Sequence, residues 1–251
     1  MSDDDFFTFY EKYRTTTQLK CQKSSECKFP DCGWKIVWIP PPKKGELRGV
    51  IISRDPTTGF IEVYDKASKK NDDDCRTELM SHKGVPVKTI IDRIEKVCQS
   101  EGKKFSRSNL SNFLLNNCYW THLLKCYTYS GQKKVRDIKS KSFKQAYSDD
   151  CVDCCSKKWL YQELNLIFKL SDVEVIILLG ADVTKFVYRL LFEEDGENWR
   201  ESKKYHNYSL IPLPHPSRAN GASWAQPINN YLLENIEKIN KLCDESRILK
   251  D

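Results

Sequence analysis

A histidine held between two prolines, Pro214-His215-Pro216, stands at the end of the run Ser209 to Leu213 and is followed by Ser217-Arg218-Ala219-Asn220. Proline bars a central strand from continuing, so the imidazole is fixed at a strand end, a setting suited to function rather than packing. A second short run, Gly49 to Ser53, ends in Arg54-Asp55-Pro56, a turn signal that carries a carboxylate. A third, Cys118 to Leu124, carries His122 and leads into Lys125-Cys126. The chain also has 11 cysteines. With no export signal at its start these are expected to stay reduced, so metal or cluster ligation is expected over a disulfide framework. Gly131 to Tyr147 holds Lys133, Lys134, Arg136, Lys139, Lys141 and Lys144 against Asp137 alone. Such a stretch is either a solvated loop or a surface for a polyanion, because clustered positive charge attracts phosphate backbones.

These residues need rigid elements to position them. The 251 residues, with 39% hydrophobic and 12% aromatic side chains, are ample for a packed core and exclude a disordered or collagen-like chain. The longest apolar run, Val175 to Leu179, is far short of the roughly 20 residues of a membrane span. The first residues include Asp3, Asp4 and Asp5 and no basic-then-apolar start. The expected setting is therefore cytoplasmic or nucleoid, neither secreted nor in a membrane. Four strands are read at Gly49 to Ser53, Cys118 to Leu124, Val173 to Leu179 and Ser209 to Leu213. Helical spacing marks Val87 to Ile94, Leu160 to Ile167, Val183 to Leu191 and Ile228 to Leu242, the last with Pro227 suited to its first turn. Strands alternating with helices predict a three-layer α/β/α sandwich around a four-stranded parallel sheet. Such sheets bind ligands at the carboxyl ends of their strands, where Asp55, His122 and His215 all fall. One domain over residues 1–251 is expected, with insertions at 66–80 and 128–150.

The set of motifs resembles the uracil-DNA glycosylase superfamily. The order is the Asp-Pro turn, then Tyr119-Trp120-Thr121-His122-Leu123-Leu124-Lys125-Cys126, then Cys155 before Trp159-Leu160, then Ile176 to Ala181, then His215-Pro216-Ser217. It is most similar to the branch that carries an iron–sulfur cluster, the family 4 type, and the likeness is strongest from Cys118 onward. The resemblance implies a glycosylase that excises a deaminated base, uracil by default, from DNA in base excision repair. It implies that Asp55 stabilises the sugar cation or orients water, and that His215 donates to the base oxygen as charge develops there. His122 takes the place of an asparagine that reads the base edge. Pro216, Ser217, Arg218 and Asn220 belong to a loop that wedges into the DNA, Arg218 being the best suited because it stacks and meets phosphate.

By the same resemblance a 4Fe-4S cluster is held by Cys27, Cys32, Cys126 and Cys155, with Cys21, Cys151 and Cys154 as alternative ligands and zinc as the alternative metal. The expected partner is DNA containing a damaged base, and the protein is expected to be a monomer. Two further readings stand beside this one. His122, and a first turn of Arg54-Asp55-Pro56 where the iron–sulfur branch usually has Glu-Ala-Pro, suit a DNA-binding member with lost or changed catalysis, or a glycosylase for hypoxanthine or xanthine. An unrelated zinc-bearing α/β protein is the third.

Overall fold

Gly49–Ser53, Cys118–His122 and Val175–Leu179 are buried at every position. Branched and aromatic side chains fit a pleated surface, and a sheet covered on both faces buries such runs completely. In the computed structural model they form β1, β2 and β3 of one sheet, which β4 (Lys203–Tyr205) and β5 (Tyr208–Leu213) complete. The structure describes residues 5–12, 37–54, 58–81, 86–125, 156–170, 172–193, 198–216, 222–225 and 230–248.

The strand order is β2-β1-β3-β5-β4. β2, β1, β3 and β5 run parallel, with Ser53 opposite His122 and Leu179 opposite Leu213. All four carboxyl ends therefore share one edge of the sheet. The expected four parallel strands are present, and a fifth corrects the count: β4 pairs antiparallel with β5 and caps that side of the sheet. Its residues, Lys203-Lys204-Tyr205, are too few and too polar to show an alternating pattern. The hairpin turns at His206, whose φ of 53° is a left-handed conformation.

Helices cover both faces. They are α1 (5–12), α2 (Thr58–Ala67), α3 (Asp72–Ser81), α4 (Val87–Ser100), α5 (Arg107–Asn112), α6 (Leu160–Ile167), α7 (Ala181–Phe192) and α8 (Asn230–Ile248). One core layer joins Ile51, Trp120, Ile177 and Ile211 to α2, α3, α4 and α8. The other joins Val50, Ile52, Tyr119, Ile176 and Leu178 to α1, α6 and α7. Alternate residues of each strand thus feed opposite layers, as the pleat requires.

α4, α6, α7 and α8 fall where the apolar spacing predicts them, although α8 continues to Ile248 and Pro227 lies outside the described residues. α1, α2, α3 and α5 do not appear in the sequence pattern. The polar stretch from Lys66 to Asp74 connects α2 to α3 and supplies the acidic first turn of α3, where negative charge suits the helix dipole. Farther along α3, Cys75, Arg76, Leu79 and Met80 are buried. Arg76 donates to the carbonyls of Pro40 (2.8 Å), Leu115 (2.6 Å) and Cys118 (2.7 Å). It pins the connector before β1 and the π-helical turn Phe113–Asn117 to the start of β2.

Candidate functional site

The chain leaves β1 toward β2 on one side and returns to build β3 and β5 on the other, so the sheet reverses direction between β1 and β3. At such a switch point the loops after the strands diverge and leave a crevice for a ligand. Ser53, His122, Gly180 and His215 end the strands around it. His122 and His215 stand on strands separated by β1 and β3; three spacings of roughly 4.8 Å put those strands about 14 Å apart. The two histidines therefore stand apart along that edge. Asp55, the expected carboxylate, follows β1 but lies outside the described residues, as do Ser217, Arg218 and Asn220.

His122 projects from β2 toward the α2 side of the sheet. It is 4% exposed, and its ring meets that of Phe60 edge-on at 5.8 Å. Phe60 stacks on Tyr64 at 6.4 Å, and the Tyr64 hydroxyl accepts from the Trp38 backbone N–H. Burial first, then the positive charge of Lys125, lowers the His122 pKa to about 3. The imidazole is therefore neutral at physiological pH, and its buried Nδ1 has no hydrogen-bond partner among the described residues. A polar atom buried without a partner costs free energy, which sets this nitrogen apart from the other polar atoms of the sheet. Beside it, Ser53 accepts from the Trp120 indole N–H at 2.9 Å, which fixes the end of β1.

His215 is partly exposed at the end of β5, and Pro216 after it is buried. Gly180, which sequence alone reads as a tight turn into α7, shapes this corner. It has φ 98° and ψ 157°, a region open to glycine almost alone. Its N–H donates to the Leu213 carbonyl at 2.8 Å, and a Cβ built on it would lie 3.3 Å from the Cβ of His215. The Trp224 indole donates to the His215 carbonyl at 3.4 Å. Gly180→Ala is therefore expected to cost roughly 1–3 kcal/mol, from backbone strain and displacement of His215. Urea unfolding checks it, and an unchanged midpoint would contradict the constraint on this corner.

Behind β2, on the α6 side, lies a buried charged cluster that the sequence reading passes over. The Lys125 ammonium pairs with Glu163 at 2.5 Å, and the two side chains are 1% and 0% exposed. Tyr119 donates to Glu163 at 2.5 Å, Thr121 donates to it at 2.9 Å, and Lys125 also donates to Thr121. The Tyr119 hydroxyl is held well above its ordinary pKa, by burial first and then by the Glu163 charge, so it stays a donor. A separate cavity of about 380 Å³ opens at the opposite, amino-terminal edge, between Arg76, Asn112 and Asn116. There Lys43 pairs with Asp73 at 3.0 Å and Arg76 serves backbone carbonyls, so it offers none of the strand-end chemistry.

Residues 78–233 match the family model of the Uracil DNA glycosylase superfamily. The chain belongs to that superfamily. The matched span contains His122, Glu163, Gly180 and His215, and it begins after β1 and Asp55. The α/β fold with its mainly parallel sheet agrees with this membership, which implies a glycosylase-type activity on N-glycosyl bonds in DNA. No curated protein matches the sequence. Among the described residues no helix is long and apolar enough to cross a membrane.

Proposed function

We propose that this superfamily member is a monofunctional DNA glycosylase that hydrolyses the N-glycosidic bond of a deaminated base, uracil by default, in base excision repair. The observation that carries the reading is His215, held at the carboxyl end of β5 against Gly180, inside the span matched to the superfamily. Cleaving this bond puts positive charge on the sugar and negative charge on the departing base, and fixed donors aimed at that base lower the barrier. His215 supplies such a donor. Asp55 is assigned to the sugar cation or the attacking water. Neutral His122 reads the edge of the flipped base with its unpaired ring nitrogen, and the loop that buried Pro216 anchors, with Ser217, Arg218 and Asn220, holds the DNA open. Oligonucleotides carrying uracil, hypoxanthine or xanthine, treated with alkali after incubation, test the activity. Strand breaks at one or more of the three bases are expected. If none is cut, a DNA-binding member without catalysis is the better reading, and His122 in the place of asparagine is the residue that favours it.

The same proposal assigns a 4Fe-4S cluster to Cys27, Cys32, Cys126 and Cys155, with zinc as the alternative, and so the iron–sulfur branch. All four cysteines lie outside the described residues, whereas Cys75, Cys98, Cys118 and Cys243 are thiols buried in the core. Among the described residues no group of three or more His, Cys, Asp or Glu is arranged to hold a metal. Support comes from the chain next to the four. Val37, shortly after Cys32, donates its N–H to the carbonyl of Lys125, the residue before Cys126, at 3.0 Å. Trp38 meets Trp159, just after Cys155, edge-on at 6.2 Å. A cluster there would cross-link segments distant in sequence. The purified protein is expected to be brown, with about four irons per chain. Colourless protein carrying one zinc would overturn the cluster. The proposed molecule is one domain over residues 1–251, a monomer, acting on damaged DNA inside the cell, in cytoplasm or nucleoid.

A further inference from the structure

β2 presents its two faces to different tasks. Trp120 and His122 point into the layer that holds Phe60, while Tyr119 and Thr121 point into the layer that holds α6. On that second face a single carboxylate, Glu163, takes the hydroxyls of Tyr119 and Thr121 and the ammonium of Lys125. These three residues bracket His122 in sequence. Lys125 is held from a further side as well, since its ammonium lies 4.4 Å from the centre of the Trp38 ring and its carbonyl accepts from Val37.

Glu163 is the one buried carboxylate among the described residues, and α6 otherwise buries Leu160, Leu164 and Ile167. An ion pair this deep is a poor way to gain stability. Desolvation offsets most of its attraction, and apolar residues of the same volume often serve as well or better. What the pair supplies that leucine and methionine would not is direction. Charge-assisted bonds to three residues of one strand and turn fix where that backbone sits.

We propose that Glu163 is a positioning residue for base recognition, clamping Tyr119, Thr121 and Lys125 from behind β2 so that His122 meets the flipped base in one orientation. This rests on the reading of His122 as the residue that contacts the base. Errors of about 1 Å in such a contact cost up to roughly 100-fold. The clamp touches neither DNA nor base, and it acts through the backbone of β2.

The test uses equilibrium binding of the full chain to oligonucleotides carrying uracil, hypoxanthine or xanthine, and to undamaged DNA, so turnover is not required. Glu163→Gln and Lys125→Met are each expected to lose stability, because each leaves one partner of a buried pair without its counter-charge. Lys125→Met combined with Glu163→Gln removes both charges and keeps an acceptor for Tyr119, so it is expected to recover most of that loss. If the pair positions His122, this double variant keeps the parent's affinity for undamaged DNA but loses on the order of tenfold in preference for the favoured base. A double variant that regains both stability and preference overturns the proposal and leaves the pair a packing element. His122→Asn is the control for the underlying reading. If it leaves the order of base preference unchanged, the assignment of His122 fails and the clamp has nothing to position. If it reorders the bases while the stable double variant does not, only the clamp fails.

Discussion

His215→Ala is expected to slow base release by roughly 100- to 1,000-fold while the affinity for the same oligonucleotide stays close to the parent's. The asymmetry follows from when the interaction is made. The base oxygen is a weak acceptor in the intact nucleotide and gains negative charge as the bond to the sugar lengthens. A donor fixed at that point therefore strengthens mainly in the transition state, and its removal appears in the rate constant. The fixing is visible in the structure. Pro214 and buried Pro216 flank the histidine, Gly180 packs where an added side chain would press on its Cβ, and the Trp224 indole donates to its carbonyl. Asp55→Asn is expected to show the same pattern, since the sugar cation it is assigned to also exists only along the reaction. Single-turnover rates beside equilibrium binding separate the two quantities. If both variants cut as fast as the parent, the roles proposed for these strand ends are wrong.

The four parallel strands were legible because burial on both faces leaves a distinctive trace. Val-Ile-Ile-Leu-Leu in β3 has no polar position, and the structure gives it no exposed one. The same logic found α7 and α8, whose apolar residues recur at helical spacing. α3 escaped it because its first turn is three aspartates and its buried face includes Arg76, so its one-sided pattern is faint. The site divides in the same way. His215 announces itself by its prolines, and His122 by standing where the motif it resembles has asparagine. Glu163 was passed over, although its position carries a signal. It sits at the second position of the series Leu160, Glu163, Leu164, Ile167, the stripe that faces the core, where a carboxylate must find buried partners. Sequence marks such an acid as unusual, but only the fold shows that its partners come from β2. The role of Gly180 depends on a close approach by His215, 35 positions away, and no local pattern carries that.

Acid is expected to destabilise the parent more than a His122→Asn variant, by up to about 1.4 kcal/mol for each pH unit below 6.5. The folded pKa of His122 is about 3 and its ordinary value is 6.5. Between those limits the unfolded chain takes up a proton that the folded chain refuses, so stability present above pH 6.5 is lost as pH falls. By pH 5 the parent should have lost roughly 2 kcal/mol relative to the variant. Urea midpoints of both proteins from pH 7.5 to 5 give the difference directly, and other titrating groups common to both cancel. Parallel curves would mean that the imidazole is not buried in its neutral form. The result bears on recognition as much as on stability. A neutral imidazole offers one donor and one acceptor on opposite ring atoms, whereas asparagine offers both from the same amide. With its Nδ1 unpaired among the described residues and its charge suppressed by burial and by Lys125, His122 in the proposed role offers a base edge one hydrogen bond where asparagine offers two. A single bond accepts either a ring N–H or a carbonyl, according to tautomer. The expected consequence is a protein that separates uracil from hypoxanthine and xanthine less sharply than its own His122→Asn variant does.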